Sequence, residues 1–376
     1  MIEKTIKISL KPVESYFFGG ENAFGYQGDD TSYYLRSNVL PQQTAILGML
    51  KKIVLEVTVA IKPDWDYDES QKDKIRDLIG EIPKFDTGYF GCGKIYSISP
   101  LFLLNSGEVY LKMPFDGLLS KETYIPATAG FIKGAEIKKL GDDKKIPFIY
   151  PEGVDAKTYV KDAWINVGDG SIIEQQEIFE YENRVGIRKP RSRGFVAEDG
   201  YFEMDYVNIK NSFELAFYAE LDKEIAEKLI ESQQVVCTLG AERSTFRARI
   251  EPADDSFKDI SNSFRKVVSP LYHSERDPKR IILLSDAYYP DYERRPWYMG
   301  FTRTTDFRYI CMTDYGRKYD KPGGYEELRF EKPQKLITML SRGSVMYIGQ
   351  EASDTFSCID KNEAFYKCGY NHYIIL

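Results

Sequence analysis

One arrangement in the sequence limits the fold more than any other. A strand-like alternation that stops at a turn and gives way to a helix occurs twice, near residues 2 and 212. The first copy alternates from Ile2 to Tyr16 and stops at Phe17-Phe18-Gly19-Gly20, where paired glycines permit a turn or a close approach of backbone. After a polar, glycine-rich loop to about Asn38 it enters Leu40-Pro41-Gln42-Gln43-Thr44-Ala45-Ile46-Leu47-Gly48-Met49-Leu50. Pro41 suits the opening turn of a helix, and Ala45, Leu47, Gly48 and Met49 suit a helix lying close on a sheet. The second copy alternates from Ser212 to Leu221, then places Ile225, Leu229 and Ile230 on one face of a helix capped by Asp222. The chain has 376 residues, above the ~250 at which a single core stops growing, so the repetition predicts two domains. They are expected at residues 1–208, with an insertion over about 55–178, and at residues 209–376.

Strand, glycine loop and helix is the way a ferredoxin-like (RRM-like) half begins. The expected fold class is therefore α+β: two ferredoxin-like domains with large loop and β-hairpin insertions. Tyr96 to Leu104 and Glu108 to Met113 read as a hairpin around Asn105-Ser106-Gly107. Residues 53–75 read as a loop and a surface helix. Residues 117–175, rich in Lys, Gly and Asp, read as an insertion with little regular structure. Gln234 to Leu239, Ser244 to Ile250 and Arg280 to Ser285 read as strands, and Leu336 to Ile348 as two apolar runs broken by Ser341-Arg342-Gly343-Ser344.

A net charge of −7 argues against a free-standing, non-specific nucleic-acid binder, yet it suits a subunit with one basic and one acidic face. The cysteines, Cys92, Cys237, Cys311, Cys358 and Cys368, form no C-x-x-C pair. They read as reduced, partly buried thiols of a cytoplasmic protein. The first residues read as a strand rather than a signal peptide, and no apolar run approaches the ~20 residues that cross a bilayer, so no membrane contact is expected. His273 and His372 are the only histidines, and neither stands in a spaced cluster with Cys, Glu or His. No G-x-S-x-G or Walker sequence occurs. The sequence assigns no catalytic residue, no metal and no cofactor.

Three segments combine cations with glycine. Arg184-Val185-Gly186-Ile187-Arg188-Lys189-Pro190-Arg191-Ser192-Arg193-Gly194 carries five positive charges and no acid in a chain that is otherwise acidic. Arginine forks bind phosphate bidentately, and glycines let backbone amides approach it; the plainer reading is a solvated basic loop. In Leu239-Gly240-Ala241-Glu242-Arg243-Ser244-Thr245-Phe246-Arg247-Ala248-Arg249 the arginines stand an even number apart, so they would share a sheet face while Phe246 and Ala248 face the core. Arg342-Gly343-Ser344 makes a tight connection with exposed amides, a hydroxyl and a cation, or else a simple turn.

These segments, in this order, resemble the RAMP (repeat-associated mysterious protein) superfamily of CRISPR systems. Leu10 to Phe18 followed by Pro41-Gln42-Gln43-Thr44-Ala45-Ile46-Leu47-Gly48 is similar to its opening strand and helix. Ser99-Pro100-Leu101-Phe102-Leu103, Gly107-Glu108-Val109-Tyr110, Met113-Pro114-Phe115-Asp116, Arg184-Val185-Gly186-Ile187, Leu239-Gly240-Ala241-Glu242-Arg243 and Arg342-Gly343-Ser344-Val345-Met346-Tyr347 resemble the marks of one branch, the third subunit of the type III-B (Cmr) effector complex. Two positions depart from the branch pattern: Glu14 stands where an aspartate is expected, and Ala241 where a second glycine is expected.

The resemblance implies a non-catalytic subunit that binds the 5′ tag of the guide RNA (crRNA) in antiviral defence. Its implied partners are the large polymerase-like subunit, which it bridges to the backbone filament, and a backbone RAMP subunit. Carried onto this chain, the RNA-binding set is Gly19, Gly20, Gln42, Gln43, Thr44, Arg184, Gly186, Arg188, Lys189, Arg191, Arg193, Gly240, Arg243, Arg342, Gly343 and Ser344. Phe17, Phe18, Tyr33, Tyr34 and Phe195 lie near these loops, as stacking or as core residues. Three alternatives stand beside this reading: the tag subunit of a type III-A complex, a metal-independent endoribonuclease that processes precursor crRNA with His273 as base, and a β-rich interaction protein without RNA.

Overall fold

The computed structural model describes residues 2–19, 22–23, 33–58, 68–119, 124–126, 136–138, 145–147, 162–187, 201–210, 212–240, 243–269, 279–289, 297–307, 311–312, 330–331, 337–348, 359 and 362–376. The principal elements begin with β1 (Glu3–Pro12), β2 (Tyr33–Arg36), α1 (Gln43–Thr58), α2 (Glu69–Ile79), β3 (Ile95–Ile98), β4 (Phe102–Asn105) and β5 (Glu108–Lys112). They continue with β6 (Ala163–Asn166), β7 (Ile172–Glu174), β8 (Phe179–Ile187), β9 (Tyr201–Ile209), β10 (Phe213–Asp222), α3 (Lys223–Ser232), β11 (Gln234–Leu239) and β12 (Ser244–Pro252). The last are α4 (Phe257–Val268), β13 (Lys279–Leu283), β14 (Trp297–Phe301), β15 (Val345–Ile348), α5 (Glu363–Lys367) and β16 (Tyr373–Ile375).

β1 alternates as its sequence predicts. Ile6, Ile8 and Leu10 are fully buried on one face, with Lys7, Ser9 and Lys11 between them. It lies antiparallel to β10 on one side and to β12 on the other, so that Ile8 stands opposite both Phe217 and Ile250. β10 pairs onward with β4 and β3, the sheet grows through β5, β6 and β7, and its other end is β11. α1 and α3 cover one face, packing Ile46, Leu50, Ile53, Ile225 and Leu229 on the β1 isoleucines. The opposite face, with Phe102, Leu104, Ala216 and Tyr218, meets Phe257, Ile260 and Phe264 of α4 and Ile282, Val345, Tyr347 and Ile374 of a second sheet. α4 starts at a capping box in which the Ser256 hydroxyl accepts from the Asp259 amide and the Asp259 carboxylate accepts from the Ser256 amide.

The second sheet has the order β14-β15-β13-β16, every pair antiparallel. Numbered by sequence, its strands lie 2-3-1-4. The first sheet has the same order in β4-β10-β1-β12, with α1 between its first and second strands and α3 between its third and fourth. The architecture is thus mixed α+β with mostly antiparallel sheets.

Four expectations change. The strand at Phe213–Asp222 does not open a second domain; it is the inner neighbour of β1. Residues on both sides of position 208 therefore share one sheet, and the second sheet begins only at Lys279. The 55–178 stretch is not wholly an insertion, because β3 to β7 extend the main sheet. Gly48 does not lie against the sheet: it is exposed, and a Cβ there would meet nothing within 4 Å. The turn at Ser106-Gly107 forms, both residues having positive φ (52° and 92°) as a type I′ turn requires, but the first arm read as Tyr96 to Leu104 is broken at Ser99-Pro100-Leu101 into β3 and β4, and only β4 pairs with β5. No helix of the described residues is long and apolar enough to cross a membrane.

Candidate nucleic-acid interface

The motif residues gather in two places. The first is an edge where the end of β1 meets the β11–β12 turn and β8. Just past β1, the Phe17 amide donates to the Ser244 hydroxyl at 3.0 Å, and the Phe18 amide donates to the Ser37 hydroxyl at 2.8 Å. The Asn38 side-chain amide donates to the Gly19 carbonyl at 2.7 Å. Gly240 has φ +82°, and a Cβ on it would lie 3.0 Å from the Phe17 carbonyl, so the turn and the strand end approach as only glycine allows. Arg243 closes that turn with φ +54°, its amide donating to the Gly240 carbonyl at 3.1 Å, and its side chain is exposed.

β8 brings Arg184 to the same edge. Its guanidinium donates to the Ser15 hydroxyl and to Glu182, the latter at 3.1 Å, and lies 4.4 Å from the Tyr206 ring centre. The bond from Arg184 holds the Glu182 carboxyl below its usual pKa. Gly186, two residues on, pairs with Phe202 in the β8–β9 ladder. Arg36, at the end of β2, stacks 4.1 Å over Tyr181. Among the described residues Arg36, Arg243 and Arg247 have no carboxylate partner, whereas Arg184 has one. Phe17 and Phe18 are core residues here: both are buried, and Phe18 lies parallel to Phe246 at 6.0 Å.

The second place is a seam between the two sheets. Gln43 is fully buried, and its amide donates to the Ser99 carbonyl at 2.8 Å. Two residues along the same segment, the Leu101 carbonyl lies 3.5 Å from the Arg342 guanidinium. Arg342 also meets Asp286, its amide donating to the carboxylate at 2.9 Å. Gly343, with φ +84°, accepts from the Phe115 amide at 2.8 Å, and a Cβ on it would lie 2.9 Å from the Met113 carbonyl. Ser344 is fully buried, and its hydroxyl accepts from the Arg303 amide at 3.3 Å. The Thr44 amide meets the Tyr370 hydroxyl at 3.4 Å, and Gln42 is half-buried. The sequence offered Gln43, Arg342, Gly343 and Ser344 as RNA contacts; in the fold Gln43 also reaches the Cys368 carbonyl at 3.5 Å, Arg342 and Gly343 tie the two sheets together through the Leu101 carbonyl and the Phe115 amide, and the Ser344 hydroxyl is taken up by the Arg303 amide.

Gly20, Arg188, Lys189, Arg191 and Arg193, with Phe195 and His273, lie outside the described residues. Sequence reasoning missed Arg36, Ser15, Ser37 and Ser244. Ser244 directly follows Arg243, so its place in the motif was a usable signal; Ser15, Ser37 and Arg36 reach the edge only through tertiary pairing. His372 lies flat on the Tyr366 ring at 4.2 Å, and burial pushes its pKa down to about 4.

A family model described as CRISPR-associated protein (Cas_Cmr3) matches residues 8–376. Among solved structures, a chain of the type III-B Cmr-beta bound to cognate target RNA, determined by cryo-EM, is similar at 13% identity with a TM-score of 0.51, covering 98% of this chain and 96% of that chain. A chain of the type III-B Cmr-beta bound to cognate target RNA and AMPPnP (state 1) aligns at 14% identity with a TM-score of 0.46, over 98% of this chain and 96% of that one. No curated protein matches. At such identities the first likeness is one of fold, and it agrees with the family match over nearly the whole sequence: the chain belongs to the Cas_Cmr3 family of CRISPR-associated proteins.

Proposed function

We propose that this family member is a non-catalytic, cytoplasmic subunit of a type III-B Cmr effector, that it holds the 5′ tag of the crRNA, and that it bridges the large polymerase-like subunit to a backbone RAMP subunit. The two sheets with strand order 4-1-3-2 are, on this reading, two ferredoxin-like units. The observation that carries the proposal is convergence. Segments around residues 15–19, 36–38, 184 and 240–244, far apart in sequence, meet at one edge, where a left-handed glycine turn adjoins exposed arginines. Single-stranded RNA is held by such cations on its phosphates while open backbone groups and rings contact sugar and base. The overall charge of −7 leaves this edge a local exception rather than part of a general polyanion trap. His372 supports a non-catalytic role, since an imidazole of pKa about 4 packed on Tyr366 is a poor general base at neutral pH.

Arg243→Gly is the test. Arg243 already has φ +54°, so glycine takes that backbone without strain and only the cation is lost. A charge-assisted hydrogen bond to phosphate is worth about 1.5–3 kcal/mol, so tag-RNA binding by the assembled effector should weaken roughly tenfold to a hundredfold. The salt dependence should flatten and the melting temperature stay put. Arg184→Ala should weaken binding less, because Glu182 already counters that charge. Wild-type affinity and salt slope in Arg243→Gly would refute the assignment of this edge to RNA.

A further inference from the structure

The main sheet ends on β11, whose own sequence carries no charge and no proline and whose pairing has no bulge, three of the devices that keep a free edge from pairing; Lys52 of α1 reaches this strand, its ammonium donating to the Thr238 hydroxyl at 3.3 Å. The sequence of β11, Gln234-Val235-Val236-Cys237-Thr238-Leu239, is uncharged and rich in β-branched residues, and its register with β12 is unbroken from Gln234 opposite Arg249 to Leu239 opposite Ser244. One face is occupied: Cys237 and Leu239 are buried, and the Cys237 sulfur lies 3.5 Å from the Met49 sulfur of α1. The other face is open, with Val236 64% exposed and Gln234 exposed.

The backbone alternates too. The Val13 amide donates to the Thr245 carbonyl, so Thr245, Arg247 and Arg249 turn their polar groups toward β1, and Phe246 and Ala248 turn theirs toward β11. By register, Val235, Cys237 and Leu239 bond to β12, leaving the N–H and C=O groups of Gln234, Val236 and Thr238 pointing outward. Among the described residues none of these outward groups has a backbone partner. The open face beside them is basic: Lys11, Arg247 and Val236 form one row across β1, β12 and β11. In the next row Arg249 is countered by Glu214 at 3.2 Å and Glu251 at 3.7 Å, while Arg247 is exposed and meets no carboxylate among the described residues.

We propose that β11 is a docking edge for an extended segment of another protein subunit, added as a further strand, with aliphatic and acidic side chains on the face beside Val236 and Arg247. Main-chain hydrogen bonds supply the affinity, and the valine and the arginine select the side chains. A second copy of this edge fits less well, because β11 brings no acid to Arg247. The inference rests on the proposed membership of a multi-subunit effector.

The test co-expresses the full chain with the other effector subunits and follows amide hydrogen exchange and incorporation. Exchange at Val236 and Thr238 should slow by about tenfold or more on assembly. Val236→Lys, which places a cation on an exposed edge position, should lower incorporation about tenfold in competition with wild type. Val236→Thr, which keeps the β-branch, should not. Unchanged exchange at these amides, or normal incorporation of Val236→Lys, overturns this inference alone. A wild-type chain that enters no assembly overturns the functional reading and this inference with it. A dimer of the isolated chain that Val236→Lys abolishes assigns the edge to a second copy and overturns the partner named here.

Discussion

Asp116 and Arg280 form the most enclosed ion pair among the described residues, their side chains 0% and 4% exposed. The guanidinium donates to both carboxylate oxygens at 2.6 Å and to the Val268 carbonyl at 2.8 Å, while Tyr347 donates to the carboxylate at 2.7 Å and Tyr124 at 3.0 Å. Removing one partner leaves the other charge buried and unpaired, which costs about 3–5 kcal/mol. Asp116→Asn should lower the denaturant midpoint accordingly; a change within the scatter of surface variants would show that this pair is solvated. Lys112 is a different case. Burial, opposed by Asp162 at 3.0 Å, pushes its ammonium down to about 8, against ~10.4 in an unfolded chain. Between those values the unfolded chain holds a proton that the folded chain has released, so this residue adds stability as pH rises. Below about pH 8 both states are protonated, and the folded one bears the cost of a buried charge. Wild type should therefore gain melting temperature relative to Lys112→Met from about pH 7.5 to about pH 9.5. Taking the difference cancels the buried thiols and tyrosines, which titrate the same way in both proteins.

At the scale of elements, the same chemistry serves different ends according to what surrounds it. The turns at Gly240 and at Gly343 both combine a left-handed glycine with an arginine. Gly240 sits at an open edge with Arg243 exposed; Gly343 is wedged between Leu283, Met113 and Phe115, with Arg342 buried. A methyl on Gly343 would need both an unfavourable φ and space that the Met113 carbonyl occupies, so Gly343→Ala should destabilise by more than ~1 kcal/mol. Thermal unfolding of Gly343→Ala beside Arg243→Gly separates the roles: the first should melt lower, and the second should keep its melting temperature and lose RNA affinity. Equal melting temperatures for Gly343→Ala and wild type would mean the loop can relax away from Met113.

The molecule as a whole is one main sheet completed late. β1 is the central strand, and both of its neighbours, β10 and β12, come from residues 213–252. A fragment ending at residue 208 therefore lacks both partners of its central strand and leaves Ile6, Ile8 and Leu10 without the β10 and β12 side of their core. Such a fragment should show no cooperative thermal transition by circular dichroism. A sharp transition would mean the first 208 residues hold a core of their own. The second sheet depends on the first through the Arg342 guanidinium at the Leu101 carbonyl and the Phe115 amide at the Gly343 carbonyl, and through α4, which packs on both.

The amino-acid sequence alone determined what depends on short-range pattern. Period-two alternation made Glu3–Pro12, Phe213–Asp222 and Ser244–Pro252 strands and turned Arg247 and Arg249 outward with Phe246 and Ala248 inward. Asp222 caps its helix, its carboxylate accepting from the Glu224 amide at 3.1 Å, because a short acceptor before an apolar stripe satisfies a free amide wherever the helix lies. The family was legible as well, in motifs whose order survived even where single residues changed. Tertiary structure alone decided which strand pairs with which, since alternation gives a strand its period and its faces but no address. The two similar openings at residues 2 and 212 accordingly became neighbours in one sheet rather than the starts of two. It also decided which polar motif residues stay free. Gln43 and Arg342 read like Arg243 in sequence, but the carbonyls of Ser99 and Leu101 reach them inside the fold, and a buried donor takes the partner that the surrounding chain supplies.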